Sequence, residues 1–154
     1  MEENEVIDFL KRHLQSIQDN DSSAYRATTS EDLTLYEWWV TPHRIDGLPF
    51  HEFMMQANAR AGTVFGTESA AAGAEKNIAT PPTRFDLSNL RIQRYGDTAI
   101  ASYTLLISSQ TAQGARVAAH NESRVMVKGQ AGWKVVHVHK SPAWQAPHVA
   151  PDEK

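Results

Sequence analysis

The sequence has no cysteine, which excludes disulfide staples, thiolate metal sites and cysteine nucleophiles. It also lacks a strong charge bias. Fifteen Lys and Arg against eighteen Asp and Glu leave a formal net charge of −3, so no broad cationic surface for nucleic acid or anionic lipid is expected. No apolar run approaches the roughly 20 residues of a membrane span. The opening Met1-Glu2-Glu3-Asn4-Glu5 is acidic and has neither the basic nor the apolar part of an export signal. The cytosol is therefore the expected compartment. Internal repeats, heptads, phosphate-binding glycine loops and His-Glu-x-x-His helices are missing as well, and no cofactor is expected. Asn121-Glu122-Ser123 matches a glycosylation acceptor, but without an export signal it carries no weight.

What is present reads as one ordinary globular domain: 154 residues, 41% hydrophobic and 21% charged. Val6, Leu10, Leu14 and Ile17 share a helical face opposite Asp8, Lys11, Arg12, Gln15 and Gln18. That pattern predicts an amphipathic helix over about residues 3–19. A short second helix is expected from Ser22 or Ser23, carrying Tyr25. Leu33–Val40 is rich in strand formers and predicts a first strand, on which Trp38 and Trp39 point to opposite faces, one to the core and one to an interface. After Gly47 and Pro49, the residues Phe50, Phe53, Met54 and Ala57 predict the buried stripe of a third helix. From Thr83 to Lys140 the pattern is β throughout, with short turns at Gly96, Gly114 and Gly129–Gly132, which predicts an antiparallel meander. Helices first and strands after give an α+β class. The domain is expected to span 1–143, with an Ala/Gly-rich insert over 57–82 and a Pro-rich tail over 144–154.

Three segments resemble a known family when taken together. Ala24-Tyr25 precedes Asp32-Leu33-Thr34-Leu35-Tyr36-Glu37. Gly47-Leu48-Pro49-Phe50-His51-Glu52-Phe53 opens the third helix. Glu122-Ser123-Arg124-Val125 precedes Gly132-Trp133-Lys134-Val135-Val136-His137-Val138-His139-Lys140-Ser141. In this order they resemble the association domain of calcium/calmodulin-dependent protein kinase II, within the nuclear transport factor 2-like superfamily. With no kinase domain in front, stand-alone bacterial relatives are the better comparison. The resemblance implies a cone: a curved antiparallel sheet wrapped on N-terminal helices, with dimers forming through sheet faces and assembling into rings. It also implies a pocket for small carboxylates, lined here by Tyr25, His51, Arg124 and Lys140. One pocket arginine of the family falls near Thr104 or Leu105 and is lost. Lys140 replaces another, keeping charge but not the planar fork.

Strand alternation supports part of this independently. His120, Glu122, Arg124 and Met126 share one face of their strand. Lys134, Val136, Val138 and Lys140 share one face of the next, opposite Trp133, Val135, His137 and His139. If Arg124 and Lys140 face the concave side, two cations converge on a partly apolar cavity and offer charge-assisted bonds to an anion. Equally, Arg124 pairs with Glu122, its neighbour two residues away. Read alone, His51 and Tyr25 fit structural roles beside the apolar stripe. His137 and His139 have chelating spacing, and His120 on a neighbouring strand is the one further candidate ligand, so a dimer-facing role is the better reading and no metal is expected.

Two functions compete. One is a self-associating module that binds a small anionic ligand. The other is an isomerase, cyclase or hydratase-type enzyme like the ketosteroid isomerase relatives of this fold, with His51 as base and Tyr25 or Arg124 as hydrogen-bond donor. Glu122 is the weaker base, because Arg124 holds it ionised. No catalytic residue is assigned.

Overall fold

A computed structural model describes residues 2–61, 83–144 and 146, 147 and 149. The expected insert falls mostly, and the tail partly, outside the described residues. Helix α1 (Glu2–Gln18) is followed by α2 (Ser22–Thr28), β1 (Thr29–Tyr36), β2 (Ile45–Asp46) and α3 (Leu48–Ala61). Four long strands follow: β3 (Thr83–Tyr95), β4 (Thr98–Thr111), β5 (Gly114–Gly129) and β6 (Gly132–Pro142). They form one sheet in the order β2-β1-β6-β5-β4-β3. The meander from β3 to β6 is antiparallel, while β1 joins β6 in parallel. The β3–β4, β5–β6 and β1–β6 pairings each contain a register shift. Such bulges bend strands and deepen twist, which curves the sheet around the helices.

The apolar stripe of α1 is buried as its period requires: Val6, Phe9, Leu10, Leu14 and Ile17. Opposite it, β4 turns inward Ala99, Ala101, Tyr103, Leu105 and Ile107. The short side chains at 99 and 101 leave room against the sheet for the larger groups of neighbouring elements. Helix α2 starts at an Asp21 cap, whose carboxylate accepts the Ala24 amide at 3.1 Å. An aspartate there satisfies one of the first-turn amides, and the short helix carries Tyr25 into the core.

Three local expectations are corrected. The first strand ends at Tyr36, and Trp38 and Trp39 lie in a turn. The amides of Val40 and Thr41 both bond back to the Glu37 carbonyl, so the chain turns where Glu37 enters the interior. The two indoles therefore do not part to opposite faces. They meet edge to face at 4.3 Å, and both lie against His120.

On α3 the buried face is Leu48, His51 and Met55, at helical spacing. Phe50 and Phe53 are exposed, and so is Ala57; Met54 packs at the margin. Gly47, at φ +97°, adopts a conformation costly for other residues. Its amide bonds to the Leu33 carbonyl at 2.7 Å, which fixes where the helix begins and hence which face turns inward. His51 is tolerated inside because polar partners meet it there.

On β6 a shift between the Val125–His137 and Met126–Val135 pairs leaves Val136 as the extra residue. Trp133 and Val135 therefore share the buried side with Val138 and Lys140, rather than lying opposite them. His120 lies buried on the concave side with Glu122 and Arg124, the neighbours with which it was expected to share a face. His137 instead bonds through Nδ1 to Thr34 Oγ1 at 2.8 Å, and His139 is exposed.

Candidate functional site

The interior of the cone holds a continuous chain of polar side chains drawn from every layer. His13 of α1 bonds through Nδ1 to Thr28 Oγ1 at 2.8 Å. The His13 ring also packs on Tyr25, with centroids 5.2 Å apart. The Tyr25 hydroxyl hydrogen-bonds His51 Nδ1. His51 Nε2 lies 3.4 Å from Glu37 Oε1, and the same oxygen accepts from Lys140 Nζ at 2.7 Å. Lys140 Nζ also lies 3.8 Å from Glu122 Oε1. Glu122 Oε2 accepts from Arg124 Nη1 at 2.7 Å, and Arg124 also donates to the Tyr103 hydroxyl.

All of these ionisable groups are at most 5% exposed. The charges inside are Glu37 and Glu122 against Lys140 and Arg124, a balanced set while His51 is neutral. Burial opposes ionisation of both carboxylates, yet their cations win. Lys140 and His51 hold Glu37 below its usual range, and Arg124 and Lys140 do the same for Glu122. Burial lowers His51, with Glu37 pulling the other way. Burial lowers His13 further, with no carboxylate to offset it. Both tyrosines are raised by burial, so they act as neutral donors or acceptors.

A small cavity opens on this cluster. Glu122, Arg124, Lys140 and His120 form its polar wall; Leu14, Ile17, Phe85, Leu105 and Ile107 form its apolar wall. Trp39 lines it too, and its ring lies under the Lys140 ammonium at 5.2 Å. The cavity is about 20 Å³, room for a water or two. Arg124 Nε is buried and has no hydrogen-bond partner among the described residues.

Of the four residues expected at a ligand site, Arg124 and Lys140 line the cavity. Tyr25 and His51 stand one layer behind, joined to it through Glu37. Arg124 does pair with Glu122, and it lines the cavity as well. Sequence reading gave no role to Glu37 at this site, although it lies in one of the segments that carried the resemblance. A strand continuing through Trp39 offers no signal that Glu37 turns inward. Of the two positions where the resemblance implied a lost arginine, Leu105 lies on the cavity's apolar wall. Among the described residues no group of three or more His, Cys, Asp or Glu is placed to hold a metal.

Comparison with known proteins accounts for this architecture. Structures with the same fold include the S. rosetta CaMKII hub (23% identity, 91% of this chain, 95% of that one, TM-score 0.69). The association domain of C. elegans CaMKII matches at 24% identity, 91% of this chain and 95% of that one, TM-score 0.70. A putative ketosteroid isomerase from Shewanella frigidimarina matches at 18%, over 87% of this chain and 92% of that one, TM-score 0.61. At these identities the likeness establishes the fold. A sequence search found no match among curated proteins. The sequence profile of the calcium/calmodulin dependent protein kinase II association domain matches residues 2–144. The chain belongs to the calcium/calmodulin-dependent protein kinase II association domain family, in its nuclear transport factor 2-like fold.

Proposed function

We propose that this chain is a self-associating module whose concave cavity takes a small carboxylate. The observation that carries the ligand reading is the pairing of two buried cations, Arg124 and Lys140, on one cavity wall. A bound carboxylate takes charge-assisted bonds from them, including the Arg124 Nε that otherwise lacks a partner among the described residues. Because the cavity holds only a water or two, the ligand is small and its entry moves a wall side chain. Trp39 is half-buried and sits in a turn rather than a helix or strand, so it is the wall residue that gives way.

Self-association is supported by family membership and by the convex side of the sheet. There Tyr36 packs on His139 at 5.1 Å and His137 at 6.3 Å, with Tyr36 and His139 exposed. A second copy covers this patch. The isomerase-type reading finds less support, because His51 does not line the cavity and its two ring nitrogens face Tyr25 and Glu37.

Isothermal calorimetry with sodium butyrate tests the ligand reading. Saturable binding is expected, weakened about tenfold or more in Arg124→Met, the loss of one bond to a charged group. Equal affinity in the wild type and the variant contradicts it.

A further inference from the structure

The charge count inside the cone constrains how an anion enters. Glu37, Glu122, Arg124 and Lys140 sum to zero and are each at most 5% exposed. A carboxylate added to this set leaves one uncompensated negative charge in a poorly solvated interior, which is costly. Either the anion is rejected or a compensating charge arrives with it. We infer that a small carboxylate binds here together with one proton, taken up by His51 at its contact with Glu37, so that the buried cluster stays neutral. This inference rests on the carboxylate reading of the cavity and adds a regulation to it.

The geometry singles out His51 among the groups able to take a proton. Its Nε2 lies 3.4 Å from Glu37 Oε1, so an imidazolium there has an ion-pair partner already in place. On α2, Tyr25 bonds its Nδ1 and is neutral. From β5 and β6, Arg124 and Lys140 repel a charged His51. His13 of α1 is coupled to it in the same repulsive sense. On α3 itself, Glu52 is turned to Arg26, at 2.7 Å.

In the ligand-free cluster Lys140 satisfies Glu37 and repels His51, so the imidazole stays neutral. A ligand carboxylate that takes Lys140 as its partner offsets that repulsion and releases Glu37 to pair with His51. The other acceptors are worse placed. Glu122 is held by Arg124 at 2.7 Å and has Lys140 beside it. His13 faces Thr28 and Tyr25 with no carboxylate. His120 lies against the two indoles.

The coupling is read by linkage. If the complex binds one proton more than the free protein, affinity falls as pH rises between the free and bound titration points of His51. Butyrate itself stays ionised across this range. Calorimetry with sodium butyrate between pH 6.0 and 8.5 is expected to show Kd rising with pH, by up to about tenfold per pH unit between the two titration points of His51. At pH 7, titrations in PIPES and in imidazole, which differ in protonation enthalpy, count the protons directly on the unaltered protein. Uptake of about one proton is expected. In His51→Gln the pH dependence is lost, whatever the remaining affinity.

Saturable binding with no proton uptake, or a pH slope that survives in His51→Gln, overturns this inference and leaves the carboxylate site standing. No saturable binding at any pH overturns both. If His51→Gln does not fold, the two-buffer proton count on the wild type still decides.

Discussion

Glu37 is the residue on which the interior turns, because it holds both Lys140 and His51 while being fully buried. Removing one member of a buried ion pair leaves the other charge uncompensated, a loss of about 3–5 kcal/mol. Glu37→Ala is therefore expected to lower unfolding free energy by that order in urea denaturation. A change below about 1 kcal/mol would mean that Lys140 finds water without cost. Acid stability follows from the same groups. His13 and His51 have folded titration points below the usual 6.5, so the unfolded chain binds more protons in the interval between. Their contribution is full above about pH 6.5 and is lost as pH falls below it. Glu37 and Glu122 are also held low, from the usual 4.5; their contribution is present above that value and lost as pH falls through their folded points. Stability is thus expected to decline in two stages on acidification. His13→Leu should flatten the first stage in pH-dependent thermal melts, and an unaltered profile would assign that stage elsewhere.

Among the elements, α3 separates what hydrophobicity predicts from what the fold selects. Phe50 and Phe53 outweigh His51 on any apolar scale, so the sequence pattern points the helix by its phenylalanines. The fold points it by Leu48, His51 and Met55, because Gly47 fixes the start and Tyr25 and Glu37 satisfy the imidazole. Met55→Ala is expected to cost about 2–5 kcal/mol as a core truncation. Phe53→Ser, at 63% exposure, should stay within about 0.5 kcal/mol. The reverse ranking would restore the phenylalanine face. The meander shows the opposite case. In β4 and β5 strict alternation runs unbroken, and Ala99 to Ile107 and His120 to Met126 are buried as period two requires. In β6 a single extra residue at Val136 breaks the period, and no residue type in Val135-Val136-His137 signals it. Regular segments were therefore legible. Those whose register or facing depends on a contact from elsewhere in the chain were not.

At the scale of the whole molecule, the helix–strand order and three dispersed segments were enough to identify the family, since each constrains a different part of one cone. The candidate site was half legible. Arg124 and Lys140 follow from alternation and from the resemblance, and both line the cavity. Glu37 required the three-dimensional turn after β1. Lys140→Arg, which restores a planar fork, is expected to tighten butyrate binding, and a loss of binding would show that the ammonium's fit over Trp39 matters more. For self-association, Tyr36→Asp is expected to shift the protein toward single chains in sedimentation velocity, because two copies of the patch then present like charges. The central claim joins both properties, and native mass spectrometry of gently desalted protein tests them together. The expected result is an even-numbered oligomer that takes up butyrate, with uptake reduced in Arg124→Met. A bare particle of single-chain mass at micromolar concentration, with no butyrate bound, would contradict it.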